Sequence, residues 1–302
     1  MLTTSDFSIP VIDFGPFLSS DDSTQNAVAD QVIDGFTKAG FIYLVGQDIV
    51  PSDLQQRVFD LSAEFFARPI EEKQEFAWST PKANRGYVSL GREKTSTLTD
   101  RDAIKKLRKS TPDLKESFEI GNESDPEYEN HWPKGDDDRF KKTMIKMFHA
   151  CYVLELQVLS SIALGLGLPK NFFSAYCDEK VNNLRLLHYP SVPSSVFEKT
   201  NQTRANAHCD YGLITLLFQD DQGGLEIQSP SGEYVPAKPI AGSIIVNAGD
   251  LLARWCNDRI KSTLHRVTSP PIKNGQDTTP ARYSVAYFTS TNRDVDIEVL
   301  DV

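Results

Sequence analysis

The chain is poor in cysteine. It has four cysteines in 302 residues, at positions 151, 177, 209 and 256, and none of them forms a CxxC pair. Scattered cysteines are typical of free thiols in a reducing compartment, whereas small secreted domains carry disulfide frameworks. The amino-terminal segment MLTTSDFSIPVIDFGPFL also lacks the basic region and the apolar run of a secretory signal. We therefore expect a cytoplasmic protein.

Positive charge and long apolar runs are also scarce. The chain has 32 lysines and arginines against 42 acidic residues, a formal net charge of −10. An acidic protein is a poor candidate for binding phosphate backbones, so we expect a small-molecule partner and no nucleic acid. The basic run KKLRKS (105–110) is typical of a solvated helix face. No uninterrupted apolar segment approaches the ~20 residues of a membrane helix, so no membrane partner is expected. The oligomeric state is left open.

Secondary-structure signals divide the chain into two parts. Amphipathic and apolar patterns predict helices over 23–40, 52–69 and 138–167 and strands over 9–14 and 41–46. From about residue 182, short β-rich runs alternate with clusters of glycine, proline and asparagine, which is typical of a barrel or sandwich. We predict a mixed, mainly β fold. Residues 1–180 form a support region with N-terminal helices, residues 181–302 form a β-barrel catalytic core, and the two act as one unit.

The segment NAHCDYG (206–212) places three potential metal ligands in consecutive positions. Side chains alternate between the faces of a strand, so His208 and Asp210 share one face if the segment is extended, and Cys209 points to the other. The chain has only five histidines, and His265, in the β-rich run STLHRV, is the candidate third ligand. Two imidazoles and a carboxylate leave positions open for O2 and an organic co-substrate, which suits non-haem Fe(II). The alternative is a buried histidine that an aspartate satisfies without metal.

The run RYSVAYF (282–288) strengthens the metal interpretation. Arg282 and Ser284 are two residues apart on a predicted strand and therefore share a face. A guanidinium fork beside a hydroxyl is a suitable receptor for a carboxylate. Phe288 is four residues beyond Ser284 and lies on the same face.

The order HxD, distal histidine and RxS resembles that of the iron(II)/2-oxoglutarate-dependent dioxygenases, in the branch that contains isopenicillin N synthase. Further similar motifs, spread over most of the chain, are IPVIDF, GFIYLVG, NRGY, DLKESFEIG, LRLLHYP, GGLEI and NAGDLLARWCND. The resemblance implies a double-stranded β-helix, or jelly-roll, barrel. It also implies that Fe(II) is bound by His208, Asp210 and His265. By the same resemblance, 2-oxoglutarate is bound by Arg282, Ser284 and Tyr189.

The resemblance implies the chemistry as well. Oxidative decarboxylation of 2-oxoglutarate by O2 yields succinate and CO2 and drives the oxidation of a substrate C–H bond. Ascorbate is a candidate reductant. The protein's own part is to hold the C–H bond near the metal and to exclude water.

Within this branch, the motifs ANRGY, GREK, NLRLLHYP and AGDLLARW resemble those of fungal thymine dioxygenase and related fungal biosynthetic dioxygenases. This implies a small planar, oxygen-rich ring substrate, such as a pyrimidine, that is oxidised at a methyl or benzylic C–H group. Arg185, Tyr211 and Phe288 would then bind the substrate. Each has a structural alternative, because Arg185 could serve an ion pair, Tyr211 could support the metal site from behind, and Phe288 could be core.

Three other functions stay open. A fungal dioxygenase that hydroxylates or ring-expands an aromatic polyketide, as in tropolone formation, would use a similar pocket. An oxidase on the same scaffold would need no 2-oxoglutarate, and a non-catalytic relative would only bind a ligand. Such relatives usually continue into a C-terminal helix that covers the site. Here the sequence ends at Val302, so this lid is either absent or outside the sequence.

Three further residues carry weaker expectations. Asn247, in the apolar run SIIVNAGD, either satisfies backbone groups, which is the interpretation that we favour, or orients a metal ligand. Gly249 is expected in a turn that needs a positive φ. His188 precedes Tyr189 and therefore faces away from it, which favours a core or surface role over metal binding.

Overall fold

A computed structural model describes residues 7–19, 21–80, 83–92, 113–134, 138–200, 202–269 and 277–302, and for 198–200 it describes the backbone alone. The basic run 105–110 lies outside these ranges. The amino-terminal elements are β1 (Val11–Asp13), α1 (Gly15–Ser19), α2 (Asp22–Lys38), β2 (Phe41–Val45), α3 (Ser52–Phe66), α4 (Ile70–Gln74), β3 (Gly86–Val88), β4 (Glu116–Gly121) and α5 (Arg139–Gly165). The helices and strands that the sequence predicts in this half are all present, with slightly different ends.

The carboxyl-terminal half is built mainly from short strands. After a 3-10 helix (Phe173–Tyr176) come β5 (Asn183–Tyr189), β6 (Val192–Pro193), α6 (Ser195–Thr200), β7 (Ala205–His208), β8 (Ile214–Gln219), β9 (Leu225–Gln228), β10 (Tyr234–Pro236), β11 (Ile244–Ala248), α7 (Asp250–Trp255), β12 (His265–Val267), β13 (Thr278–Thr279) and β14 (Arg282–Phe288). This is the succession of strands that the turn-rich sequence predicts.

The strands form two main sheets. The large sheet has the order β1-β2-β11-β8-β14-β5-β4-β3, and the small sheet has the order β10-β9-β12-β7. Residues of both sheets pack together in one inner apolar cluster, for example Leu187 and Ala286 from the large sheet with Ile227 and Val267 from the small one. The architecture confirms the predicted class: a mixed, mainly β jelly roll with supporting N-terminal helices.

The large sheet combines strands from the whole chain. β4 pairs with β5 from Glu116 opposite His188 to Gly121 opposite Asn183, and β2 pairs with β11. The region before residue 181 therefore contributes strands to the barrel as well as helices around it. The division into 1–180 and 181–302 stays a prediction, and this pairing favours the expectation that the two parts act as one unit.

The amino-terminal helices form a layer with their own apolar core. Asp21 caps α2, because its side chain accepts a hydrogen bond from the Thr24 amide at 3.0 Å. α3 contacts α5 and the strands β5 and β14. Its buried stripe comprises Leu54, Val58, Leu61 and Phe65. The helices thus cover the outer face of the large sheet and leave its inner face to the small sheet.

α5 is the longest helix of the described chain and lies in this outer core. Met144, Cys151, Leu154 and Val158 on α5 are fully buried, and the helix contacts α2 and α3. By length and mean hydropathy α5 could cross a membrane, and 56% of its 18-residue apolar stretch is buried within the fold. Charged residues such as Lys146 and Glu155 interrupt the apolar residues of α5, so the expectation, which concerns uninterrupted apolar segments, is not contradicted. Core helices meet the same criterion, and burial accounts for the composition of α5.

Candidate metal centre and active site

The two candidate histidines lie opposite each other in the small sheet. His208 is the last residue of β7 and pairs with His265, the first residue of β12. Their ring centroids are 4.4 Å apart. Oδ1 of Asp210 lies 3.8 Å from Nε2 of His208 and 3.7 Å from Nε2 of His265. The three side chains converge as expected, although the strand ends at His208 and Asp210 lies just beyond it.

Backbone carbonyls hold both imidazoles in one tautomer. Nδ1 of His208 donates to the carbonyl of Asn206 at 2.7 Å, and Nδ1 of His265 donates to the carbonyl of Thr263 at 3.1 Å. A carbonyl can only accept, so the ring proton lies on Nδ1 and the Nε2 lone pair is left for a metal. In both rings Nε2 is the nitrogen nearest to Asp210.

The carboxylate of Asp210 is oriented by two donors. Its Oδ2 accepts hydrogen bonds from Oγ1 of Thr215 and from Nδ2 of Asn247, each at 2.7 Å. Oδ1 is the oxygen that faces the histidines. Asn247 therefore orients the carboxylate, and the interpretation that we favoured from sequence, in which it satisfies backbone groups, is wrong. The sequence shows only a polar residue in an apolar strand and not the group that it contacts.

Burial and charge favour the forms of these residues that bind metal. Burial lowers the pKa of His208 to about 4, and a proton on the neighbouring His265 would repel a second one in the same direction, so the imidazole of His208 is neutral at pH 7. Burial alone would raise the pKa of Asp210. The two imidazoles and the hydrogen bonds from Thr215 and Asn247 outweigh it and lower that pKa, so the carboxyl group is ionised.

The donor set fits a divalent iron. The three ligand atoms lie within 4.8 Å of one another, and two imidazole nitrogens with one carboxylate oxygen are the set that non-haem Fe(II) oxygenases use. Among the described residues this is the one group of three or more histidine, cysteine, aspartate or glutamate ligands close enough to share an ion. Cys209 is not part of it. It lies beyond the end of β7 and also lines the cavity, so its expected position on the other strand face stays a prediction.

The predicted carboxylate receptor, Arg282 with Ser284, lines the cavity that the three candidate metal ligands also line. Nη1 of Arg282 donates to Oγ of Ser284 at 3.1 Å, and Nη2 donates to Oε1 of Gln219 at 3.3 Å. The guanidinium carbon lies 4.9 Å from the ring centroid of Tyr189. Arg282 is 1% exposed, and its Nε has no hydrogen-bond partner among the described residues. A buried guanidinium with an unused donor fits an anionic ligand such as 2-oxoglutarate.

The three predicted substrate residues, Arg185, Tyr211 and Phe288, also line this cavity, which has a volume of about 410 Å³. Nε of Arg185 lies 2.8 Å from Oε1 of Glu119, and its guanidinium carbon lies 5.2 Å from the ring centroid of Phe288. Arg185 therefore forms the ion pair of the structural alternative and still faces the cavity. Tyr211 is 77% exposed, so it lies at the cavity mouth and is not a buried support of the metal site.

Sequence reasoning missed several polar residues of the cavity. Asn84, Lys115 and Asn183 line it, and Glu119 holds Arg185. Glu119 is opposite Arg185 in the pairing of β4 with β5, although the two are 66 positions apart. The alternating polar residues of DLKESFEIG place Lys115, Ser117 and Glu119 on one face, which was an available signal. It does not reveal the arginine on the next strand.

The expectation for Gly249 is wrong in its physical reason. Its φ is −96°, a value that any residue adopts. A Cβ at this position would lie 2.3 Å from the carbonyl oxygen of Gly212 and 3.0 Å from that of Asp210. Gly249 is required because the backbone that precedes α7 packs directly on the segment that carries Asp210.

Gly249→Ala should therefore destabilise the fold and disturb the metal site together. Overpacking of this kind costs about 1–3 kcal/mol, and the segment that must move carries Asp210. Urea denaturation and Mn(II) titration of the metal-free protein would measure the two effects. Gly242→Ala is the control, because its Cβ would meet open space and its strain comes only from a φ of 74°. It should lower stability and leave Mn(II) affinity unchanged; an equal loss of affinity in both variants would contradict the packing argument.

The barrel, the histidine–aspartate–histidine cluster and the buried arginine beside it define a class of enzyme. The chain belongs to the iron(II)/2-oxoglutarate-dependent oxygenase superfamily and is a dioxygenase of that family. Residues 181–291 match the 2OG-Fe(II) oxygenase superfamily, and residues 9–135 match the amino-terminal family described for a non-haem dioxygenase in morphine synthesis. Fe(II), 2-oxoglutarate and O2 are accordingly its cofactor and co-substrates.

Three proteins that are similar to this chain over nearly its whole length come from fungi. The chain is 47% identical to the thymine-7-hydroxylase of Neurospora crassa, crystallised with 2-oxoglutarate and thymine; the match covers 99% of this chain and 91% of that one, with a TM-score of 0.90. It is 35% identical to a 2-oxoglutarate-dependent dioxygenase of Aspergillus rugulosus, over 96% of this chain and 90% of the relative. It is 37% identical to a proline hydroxylase of Petromyces alliaceus, over 96% of this chain and 89% of the relative.

Proposed function

We propose that His208, Asp210 and His265 bind the iron of this dioxygenase. Bound iron, with O2 and 2-oxoglutarate, supplies the oxidation of a substrate C–H bond together with the formation of succinate and CO2. The two imidazoles present Nε2 because backbone carbonyls occupy Nδ1. Asp210 presents Oδ1 because Oδ2 is already hydrogen-bonded. Each ligand is thus oriented before the metal binds, which favours a defined coordination geometry.

We propose that Arg282, Ser284 and Tyr189 seat 2-oxoglutarate. Arg282 and the hydroxyl of Ser284 offer donors to one carboxylate, and the ring of Tyr189 packs against the guanidinium. Arg282 is buried, so its charge acts in a low-dielectric environment, where a charge-assisted hydrogen bond is strong.

For the substrate we propose a small planar, oxygen-rich ring, thymine-like, that is oxidised at a methyl group. The observation that carries this proposal is Arg185, whose guanidinium is fixed by Glu119, lies against Phe288 and lines the cavity of the candidate iron ligands. A fixed guanidinium donates to ring carbonyl oxygens, and an aromatic side chain can stack on a flat ring. The similarity to the Neurospora crassa enzyme crystallised with thymine supports the same class of substrate.

A second candidate is an aromatic polyketide or another fungal secondary metabolite. The cavity of about 410 Å³ falls in the size range of pockets that bind drug-sized ligands, and the largely exposed Tyr211 is among its lining residues. The relatives also include a proline hydroxylase, so this scaffold accepts chemically different substrates. A flat, oxygenated polyketide could use Arg185 and Phe288 in the same way.

Succinate release with Fe(II), ascorbate and O2 tests these proposals. Thymine and related pyrimidines would be compared with resorcylic and benzaldehyde-type polyketides, each with and without 2-oxoglutarate. The pyrimidine proposal expects substrate-dependent succinate with thymine and a hydroxymethyl product by mass spectrometry. Turnover of the polyketides alone would favour the second candidate. O2 uptake that is indifferent to 2-oxoglutarate would contradict the proposed seat for the co-substrate.

Arg185→Gln should reduce substrate-dependent succinate formation by about tenfold or more, because a hydrogen bond from a charged group contributes about 1.5–3 kcal/mol. The visible absorption band of the anaerobic Fe(II)–2-oxoglutarate complex should stay unchanged. Glu119 would be left buried without its arginine, which is costly in itself. The Arg185→Gln/Glu119→Gln double variant removes that cost, so it should recover stability without activity. Recovery of activity in the double variant would show that Arg185 serves only the ion pair.

A further inference from the structure

Hydrogen bonds connect the candidate iron ligand His208 to a distant part of the chain. The carbonyl of Asn206, which accepts the Nδ1 proton of His208, belongs to a residue that Asp113 holds at two points. Oδ1 of Asp113 accepts the backbone N–H of Asn206 at 3.2 Å and its side-chain Nδ2 at 2.7 Å. Oγ1 of Thr203 donates to Oδ1 of Asn206 at 2.9 Å. The backbone and the whole amide group of Asn206 are therefore fixed.

The contact that holds Asn206 is buried and charged. Asp113 is 0% exposed. It precedes β4 and lies 93 positions from Asn206 in the chain. Nζ of Lys115 lies 3.9 Å from Oδ2 of Asp113, and Lys115 lines the active-site cavity. Water cannot replace a hydrogen bond that is lost at such a site, so each one constrains the backbone strongly.

Neither partner is explained by the sheet. Hydrogen bonds of β7 to β12 position the strand, but they do not require an aspartate in the segment before β4 or an asparagine in β7. A buried carboxylate costs free energy unless its oxygens are satisfied. Here Oδ1 is satisfied by both donors of one residue, whose carbonyl is the group that selects the tautomer of His208.

We propose that Asp113 is a positioning residue of the iron centre. By holding Asn206, it fixes the carbonyl that keeps the proton of His208 on Nδ1 and directs Nε2 to the metal. The inference rests on the proposed iron ligands. It gives the segment before β4 a role in metal affinity, although this segment lies outside both the HxD motif and the run with the distal histidine.

Mn(II) titration of the metal-free protein, followed by EPR, tests this without turnover. Asp113→Ala is expected to weaken Mn(II) binding about 10- to 100-fold, the usual effect of removing a group that orients a ligand. Asp113→Asn keeps an acceptor oxygen for Asn206 and should bind Mn(II) more tightly than Asp113→Ala. Asn206→Asp places an acceptor against the carboxylate of Asp113 and should weaken binding as Asp113→Ala does. The Co(II) absorption spectrum of the two weakened variants should also shift, because the direction of one imidazole changes.

Asp125→Ala is the matched control for general destabilisation. Asp125 is also a buried carboxylate that accepts backbone N–H groups, from Glu127 and Tyr128, and it pairs with Arg85 and Arg293. Its loss should lower the melting temperature and leave Mn(II) affinity and the Co(II) spectrum unchanged. Wild-type affinity in Asp113→Ala, or an equal loss in Asp125→Ala, would overturn the proposal. Unchanged Mn(II) binding in His208→Ala would instead reject the proposed iron ligands themselves.

Discussion

Asp210→Ala is expected to remove metal binding and turnover almost completely. Asp210 is the one anionic member of the cluster, and its Oδ1 lies 3.8 and 3.7 Å from the two Nε2 atoms. Removing only an outer hydrogen-bond partner of a ligand costs about 10- to 100-fold in affinity, so removing the ligand should cost more than about 100-fold. Thr215 and Asn247 would also lose their common acceptor in a buried site.

Two measurements would check this result. Mn(II) titration by EPR reports affinity in the metal-free protein, and the visible band formed by anaerobic Fe(II) with 2-oxoglutarate reports the assembled site. Cys209→Ser is the neighbouring control, because the thiol is not among the clustered ligand atoms. It should keep both signals. Loss of metal in Cys209→Ser would contradict the argument from strand faces, and normal metal affinity in Asp210→Ala would refute the ligand assignment.

Arg282→Lys is expected to weaken 2-oxoglutarate binding by about 10- to 100-fold while metal binding stays normal. Lysine keeps the positive charge and loses the planar fork that can bind a carboxylate with two donors. The separate Nη1 and Nη2 donors to Ser284 and Gln219, and the additional unused Nε donor, are all lost when a single ammonium nitrogen replaces the guanidinium. Charge-assisted hydrogen bonds contribute about 1.5–3 kcal/mol, which corresponds to the expected factor.

Titration of the visible Fe(II)–2-oxoglutarate band gives this dissociation constant directly. Arg293→Lys is the matched control, because Arg293 is a half-exposed arginine that pairs with Asp125 away from the cavity lining. It should leave the constant for 2-oxoglutarate unchanged. If Arg282→Lys binds 2-oxoglutarate as tightly as the wild type, the co-substrate is not held by this guanidinium, and the 2-oxoglutarate-independent oxidase becomes the better hypothesis.

Much of the fold could be predicted from the sequence because its signals are local. Apolar residues at helical spacing indicate α3 and α5, and glycine-rich and proline-rich breaks separate the strands after residue 182. Strand alternation correctly placed Arg282, Ser284 and Phe288 on one face. The same reasoning did not show that the first four strands of the chain belong to the large sheet, because pairing between strands far apart in sequence leaves no periodic signal.

The corrections at the site have the same origin. Asn247 looked like a residue that satisfies backbone groups, and its partner Asp210 is 37 positions away. Gly249 looked like a turn residue with positive φ, but glycine is required there because the backbone of Gly212 leaves no space for a Cβ. Propensities describe a residue and its neighbours in sequence, whereas both of these roles depend on what another segment places against the residue.

The sequence by itself determined the chemistry of this protein: which side chains are available as ligands and donors, and in which order along two strands they occur. Only the tertiary structure decided how they work together. It brought His265 opposite His208, Glu119 against Arg185 and Asp113 against Asn206. The physical reason is that chemical type is a property of each residue, whereas distance between residues is set by sheet pairing and burial, which the whole chain determines together.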